Sequence, residues 1–295
     1  MLSVLHVGTC GWHYDDWINV FYPAYLRSKK DKWLEYYSER FDTVEIDSTF
    51  YNFPTERTVS FWLGKISTIQ KKGRTFTFSL KIPKNITHDY LLNGMLDTAI
   101  ETTRKFEQKV VSKLHQNNCL SSVLIQLSPY FKSDKIDILE KYLSAIDHSK
   151  YDYTIEFRNT SWLGVDKNFK KDTLNLLSRY NIANCITDGP TSPNTTTSTA
   201  NHAYIRFHGR NYDIWFKKEI TPTDSRINRY DYLYSDEELK PWVDTIKKIN
   251  SSSKETRIYF NNHPHGNAIK NAHSIKSMLE LKTISLSSTF QPQLF

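Results

Sequence analysis

Cysteine is scarce in this chain, with three among 295 residues: Cys10, Cys119 and Cys185. An odd, widely spaced set argues against a disulfide framework and for a reducing compartment, and no Cys-x-x-Cys zinc pattern occurs. Long apolar runs are also missing. No window reaches the length of a membrane span, and the first residues carry neither the basic stretch nor the apolar run of a secretory signal. The expectation is a cytoplasmic protein with no membrane partner. The triplets at Asn85 and Asn159 that match the glycosylation pattern then read as chance matches. Glycine is low at 9 residues, so most turns must be made without it.

What the chain has in quantity is aromatic residues, 14% of the total, with 18 Tyr, 16 Phe and 7 Trp. The net charge is +7 and the isoelectric point is about 9.0. A basic balance points to an anionic ligand or to nucleic acid, although the lysines are spread in pairs, as at Lys71–Lys72, Lys217–Lys218 and Lys247–Lys248, in the manner of a solvated surface.

The most informative stretch is Ala203–Arg210. Ala203, Ile205 and Phe207 alternate with Tyr204, Arg206 and His208, which is the period of a strand with one apolar face and one face ending in charge. The pattern recurs in Thr43–Ser48, Thr75–Lys81, Ser122–Ser128, Tyr153–Arg158 and Arg257–Asn261. Val4–Gly8 and Ile182–Thr187 complete a set of eight strand-like segments. Helical patterns lie between them: about Asp31–Phe41, Thr55–Ile69, Leu96–Gln116, Lys135–Ile146, a stretch ending near Tyr180, Asp236–Asn250 opened by a capping box of Ser235 and Glu238, and a last one ending near Leu281. Thr191–Asn201 is rich in Thr and Ser and reads as a flexible surface loop. Arg210–Tyr234 lacks periodicity, and its length suggests a lid bearing Trp215 or Phe216. With no linker in sight, residues 1–295 read as one domain, an α/β fold in the form of a single closed parallel (β/α)8 TIM barrel. Its helices would cover the apolar faces, and the polar faces would meet inside at the C-terminal ends of the strands.

Several segments follow one another in an order that resembles a known family: Gly8-Thr9-Cys10-Gly11-Trp12, Phe21-Tyr22-Pro23, Thr43 to Tyr51, Lys81-Ile82-Pro83 with His88, Glu156-Phe157-Arg158 with Ser161-Trp162, Tyr204 to Arg210, and Phe260-Asn261-Asn262-His263. The chain is similar to the YecE-like proteins, the family called domain of unknown function 72. The resemblance implies a TIM barrel distantly similar to the xylose-isomerase and endonuclease IV type, and it implies no activity. Two positions depart from the family pattern: Cys10 stands where Ser is usual, and Asp47 where Asn is usual.

The inward faces carry the candidate site. Glu45 and Glu156 are carboxylates on different strands that could serve as general acid and base, with His208 as a third proton-transfer group that titrates near neutral pH. Asp47, Lys81, Arg158, Arg206, Arg210, Asn261 and His263 are candidate substrate-binding groups, the guanidinium forks matching phosphate geometry. Trp12, Tyr14, Tyr51 and Trp162 are among the aromatics in loops at one mouth that are candidate stacking platforms. Glu45, Asp47, Glu156, Asp188, His208 and His263 are acceptable metal ligands, but no His-x-His or helical His-x-x-x-His organises them. No cofactor is identified, and a divalent metal is the weaker alternative. The expectation is an enzyme, of hydrolase or isomerase type, that uses acid–base chemistry on a small anionic, phosphate-bearing or sugar-like ligand. One alternative is a nucleic-acid-binding or repair protein, which requires a continuous basic rim around the mouth. A third is a ligand-binding module without catalysis.

Overall fold

The computed structural model describes residues 3–190, 193–215 and 228–281. The strands are β1 (Val4–Thr9), β2 (Thr43–Ile46), β3 (Thr77–Lys81), β4 (Leu120–Gln126), β5 (Tyr153–Glu156), β6 (Ala183–Asp188), β7 (His202–Phe207) and β8 (Glu255–Phe260). They form one sheet in the order β1-β8-β7-β6-β5-β4-β3-β2, with every pairing parallel. Each strand therefore neighbours its successor in sequence, and β8 returns to β1, which is the TIM-barrel arrangement.

The remaining seam, between β1 and β2, is narrow. It is held by a bridge of Cys10 with Glu45, in which the Gly11 N–H donates to Glu45 O at 2.8 Å. Farther down, a side chain replaces the missing ladder bond. The Tyr37 hydroxyl accepts the Thr9 N–H at 2.9 Å and donates to Thr43 O at 3.2 Å. The strands approach so closely here that a Cβ on Gly8 would stand 2.2 Å from Thr43 O. Glycine is required at position 8 by space.

The helices are α1 (Trp33–Tyr37), α2 (Ser48–Tyr51), α3 (Glu56–Lys71), α4 (Leu96–Phe106), α5 (Ser112–Gln116), α6 (Ile136–Ala145), α7 (Lys171–Arg179), α8 (Tyr212–Trp215), α9 (Asp236–Ser251) and α10 (Asn267–Met278). The expected capping box opens α9: the Glu238 N–H donates to Ser235 Oγ, and the Ser235 N–H to Glu238 Oε2. The expected helix from Leu96 to Gln116 runs through a π turn at Glu107–Val111. The extra residue there aims Glu107 inward, where its Oε1 accepts from Tyr153 Oη at 2.5 Å and from the Asp147 N–H at 3.0 Å.

Two expectations need correction. The first helix is one and a half turns long and follows a 3-10 turn at Lys30–Lys32, so it does not run from Asp31 to Phe41. The Thr/Ser-rich stretch is not a loose loop over its described part, residues 193–201. Thr195 and Thr199 are buried, and Thr199 Oγ1 accepts the Asn184 N–H at 2.8 Å and donates to Ile182 O at 2.7 Å. This segment lies along β6, and the strict alternation of strand and helix lapses there. Thr191 and Ser192 lie outside the described residues.

The alternation within strands sorts the side chains as expected. Val44, Ile46, Leu80, Val123, Ile125, Ile155, Ile205, Phe207, Ile258 and Phe260 pack outward under the helices. Cys10, Leu124, Cys185, Tyr204 and Tyr259 form a separate small cluster in the lumen. Below it the Tyr259 hydroxyl meets Thr43 Oγ1 at 2.6 Å and Ser79 Oγ at 2.8 Å. Above it the lumen becomes charged. No helix of the described residues is long and apolar enough to cross a membrane.

Candidate functional site

The site begins at Arg206, the next inward residue of β7 after Tyr204, which is 1% exposed. A buried guanidinium must be paired. Its Nη1 donates to Glu156 Oε2 at 2.5 Å, and its Nη2 to Glu45 Oε1 at 2.8 Å. The Glu45 Oε2 atom accepts from Tyr204 Oη at 2.6 Å, and Glu156 Oε1 from Arg158 Nη1 at 3.1 Å. Three strands thus meet through one charge network: β2 brings Glu45, β7 brings Arg206, and β5 brings Glu156 with Arg158 just past its end.

A cavity of about 170 Å³ lies over this network at the C-terminal mouth. Lys81, Arg158 and Arg206 supply its positive charge, and Gln126, His208 and Asn261 supply neutral polar groups. Asp47 is the carboxylate in its wall, and Tyr14, Tyr51, Tyr230 and His263 are its aromatic part. Lys81 Nζ stands 3.5 Å from Asp47 Oδ1 and 4.2 Å from the Phe50 ring centre. His263 stacks on Tyr14 at 4.5 Å with 7° between the planes. Trp215 is buried 6.1 Å from His208 and 5.2 Å from Tyr230, so the described ends of the aperiodic segment reach the mouth. Phe216, the other expected lid residue, lies outside the described residues.

Three polar atoms of the cavity residues are buried without a hydrogen-bond partner: Asp47 Oδ1, Arg206 Nε and His208 Nε2. Such atoms are rare in folded proteins, and each calls for an explanation. The Asn261 Nδ2 donates to His208 Nδ1 at 3.0 Å, which leaves the imidazole proton on Nε2. Glu156 Oε1, at 3.8 Å from Nε2, is beyond hydrogen-bond reach.

The proton affinities separate these groups. Burial, with Arg206 beside it, lowers His208 to about 3. This corrects the expectation that His208 titrates near neutral pH: it is a neutral hydrogen-bond donor. Burial alone would raise Glu156, but Arg206 and Arg158 outweigh it and hold its carboxyl well below the usual range. Burial pushes Glu45 up against the pull of Arg206, and Asp47 beside it adds to the rise. Asp47 moves the other way, because Lys81 and then Arg206 overcome its burial. Of this neighbouring pair, Asp47 ionises first.

The structure gathers most of the expected residues here. Asp47, Tyr51, Lys81, Arg158, Arg206, His208, Asn261 and His263 line the cavity. Glu45 and Glu156 lie beneath it with both oxygens of each engaged by protein groups. Three expected residues are elsewhere. Trp162 is buried, its ring 4.6 Å from Phe157 and its Nε1 donating to Phe131 O at 3.1 Å, so it anchors its loop and is no stacking platform. Arg210 grips Asp188 with Nε at 2.8 Å and Nη2 at 2.6 Å and lines a separate cavity. Trp12 packs 6.1 Å from Phe78, on the outer layer. Asp188, also weighed as a metal ligand, belongs to the Arg210 network. Two lining residues were not expected. Gln126 was findable, since alternation puts it on the inner face of β4. Tyr230 had no local signal, because it sits in the aperiodic segment.

Cys10, Glu45 and Asp47 bring ligand atoms within 4.8 Å of one another. The cation they already surround is Arg206, whose Nη2 is 2.8 Å from Glu45, 3.6 Å from Cys10 Sγ and 3.6 Å from Asp47 Oδ1. A divalent ion at this place would have to displace the guanidinium. The donor set therefore fits an arginine better than a metal.

Known proteins share this arrangement of the chain. The family described as "Protein of unknown function DUF72" matches residues 6–294. The UPF0759 protein YunF of Bacillus subtilis is 29% identical over 299 residues, 99% of either chain. A crystal structure of a DUF72 family protein from Thermotoga maritima is 30% identical with a TM-score of 0.78, covering 94% of this chain and 99% of that one. Another, from Enterococcus faecalis, is 23% identical with a TM-score of 0.76 over 97% and 100% of the two chains, a likeness of fold alone.

Proposed function

This chain belongs to the DUF72 family, and from that starting point we propose that it is an enzyme that binds a small phosphate-bearing, sugar-like substrate in the mouth of the barrel and acts on it by acid–base chemistry. The observation that carries this reading is the pair of buried, unpartnered donors, Arg206 Nε and His208 Nε2, in the wall of a cavity that also presents Lys81 and Arg158. Donors held in place away from water are suited to an anionic oxygen, and a guanidinium fork matches phosphate. The cavity volume of about 170 Å³ equals the share of about six waters, so it takes a small group. Tyr51, 72% exposed at the wall, gives the uncharged remainder of the ligand a surface to lie on.

The acid–base roles differ from those first expected. Glu45 and Glu156 position Arg206, and Asp47 is the carboxylate that faces the cavity. The rim favours a small ligand over a nucleic-acid strand. Its signs are mixed: Lys30 is paired with Asp15 at 2.5 Å, Lys32 with Glu35 at 3.4 Å, and Asp16 and Asp231 line the adjoining cavity.

Thermal denaturation with inorganic phosphate, sugar phosphates, neutral sugars and short oligonucleotides tests the proposal. A phosphate-bearing ligand at 100 times its dissociation constant adds about 2.7 kcal/mol and raises the melting temperature visibly. Arg158→Ala, which leaves Glu156 paired with Arg206, removes that rise. If neutral sugars stabilise the protein while every phosphate fails, or if Arg158→Ala responds like the parent, the reading is wrong.

A further inference from the structure

The three unpartnered atoms in the cavity are of opposite kinds, and that difference selects among acid–base reactions. Asp47 Oδ1 is an acceptor, whereas Arg206 Nε–H and His208 Nε2–H are donors. Hydrolysis of a glycoside uses two carboxyl groups facing the bond to be cleaved. Here both oxygens of Glu156 are taken by Arg206 and Arg158, and both oxygens of Glu45 by Tyr204 and Arg206. One carboxylate is left in the wall, Asp47, its Oδ1 3.5 Å from Lys81 Nζ and 3.6 Å from Arg206 Nη2, and it shares the cavity with two fixed N–H groups. A single base with an oxyanion site is the equipment for removing a proton from carbon beside a carbonyl group.

We propose that the reaction is enolisation of a small α-hydroxycarbonyl phosphate, with Asp47 Oδ1 taking the carbon-bound proton and Arg206 Nε–H and His208 Nε2–H stabilising the oxygen that becomes negative. The inference rests on the pocket reading above and divides its groups: Lys81 and Arg158 take the phosphate, and the two unpartnered donors take the carbonyl oxygen. In the step, the C–H bond breaks and its electron pair forms the new C=C bond. The carbonyl π pair moves onto oxygen, and the proton goes to the Asp47 carboxylate. Asp47 then returns a proton to carbon, on the same atom or on its neighbour once the proton has moved between the two oxygens. No oxidant, reductant or co-reactant is needed.

The surroundings suit this step. Asn261 fixes the imidazole tautomer that donates from Nε2. A neutral imidazole stays a donor across the working range of pH, as burial beside Arg206 keeps it neutral. Trp215 and Tyr230, packed against the His208 ring, shield the negative oxygen from water. Tyr204 and Glu45 are positioning residues, since they orient Arg206 and do not line the cavity.

The test compares two ligands that differ at the reacting end: glycerol 3-phosphate, whose carbinol carbon is tetrahedral and uncharged, and phosphoglycolohydroxamate, a planar mimic of the enediolate. Calorimetric titration of the intact protein gives both affinities, with inorganic phosphate as a third ligand. Because a site built for the intermediate binds its mimic far more tightly, the hydroxamate is expected to win by about 100-fold or more. Asp47→Asn, which supplies the amide usual in the family pattern, and His208→Phe should each erase that preference and leave glycerol 3-phosphate binding in place. Equal affinity for the two ligands in the parent protein overturns enolisation, and that result does not depend on any variant folding. If none of the three binds, it is the phosphate pocket itself that fails.

Discussion

The replacement Arg206→Ala tests the charge network most directly. It removes the one group that contacts both Glu45 and Glu156, and it leaves both carboxyls buried, at 0% and 1% exposure. Breaking a buried pair from one side costs about 3–5 kcal/mol. A loss of this size is a large part of the stability of about 5–15 kcal/mol usual for a folded domain. The pH dependence also steepens. In the parent, Glu156 is held below its unfolded value, so its contribution is lost only as pH falls below about 4.3 and is flat between pH 8 and 5, where Glu45, pushed up by burial, alone favours the lower pH. In the variant both carboxyls sit above the unfolded value, so the variant should gain more stability than the parent as pH drops from 8 to 5. Urea unfolding of both proteins at pH 8 and pH 5 measures this. A loss under about 1 kcal/mol at pH 8, or an equal loss at both pH values, would refute the argument. Combining Arg206→Met with Glu45→Gln and Glu156→Gln removes the charges together and should recover most of the loss, since well-packed neutral groups replace buried ions at little cost.

Gly8→Ala should destabilise by about 3 kcal/mol or more, because its Cβ meets backbone at Thr43, whereas Gly64→Ala, on the open side of α3 with nothing within 4 Å, should stabilise by up to about 1 kcal/mol; denaturant midpoints that move alike would count against the narrow seam. Trp162→Phe should cost about 1–3 kcal/mol by orphaning Phe131 O, with phosphate-ligand affinity unchanged in the same titration. In a histidine NMR titration, His208 should stay flat between pH 5 and 8. His6 should titrate above its ordinary value, because its hydrogen bond to Asp42 at 2.7 Å overcomes its burial. His6 then stabilises the fold below about pH 6.5, and that contribution fades as pH rises through its folded value, so His6→Gln should flatten the stability profile there.

The strands, the inner and outer faces and the capping box of α9 were legible in the sequence because each depends on residues close together in the chain. A strand exposes alternate residues to opposite faces wherever it lies, so Tyr204, Arg206 and His208 had to share a side, as did Glu45 with Asp47. The charge on those faces also required that they meet one another somewhere, since unpaired ions are not buried. What the tertiary structure decided was the partner of each group. Whether Glu156 is a free acid or a carboxylate saturated by two arginines depends on the spacing of β5 and β7, which no local pattern encodes. His208 looked like a group poised near neutrality until its burial beside Arg206 was known, because proton affinity follows desolvation and neighbouring charge more than residue type. Arg210 and Trp162 stood in the right loops, yet one turns to Asp188 and the other to Phe131, since a loop side chain takes the nearest unsatisfied group. Tyr37 could be placed on a helix face by its spacing from Trp33 and Phe41. Its hydroxyl acquired the task of closing the barrel only when β1 and β2 came side by side.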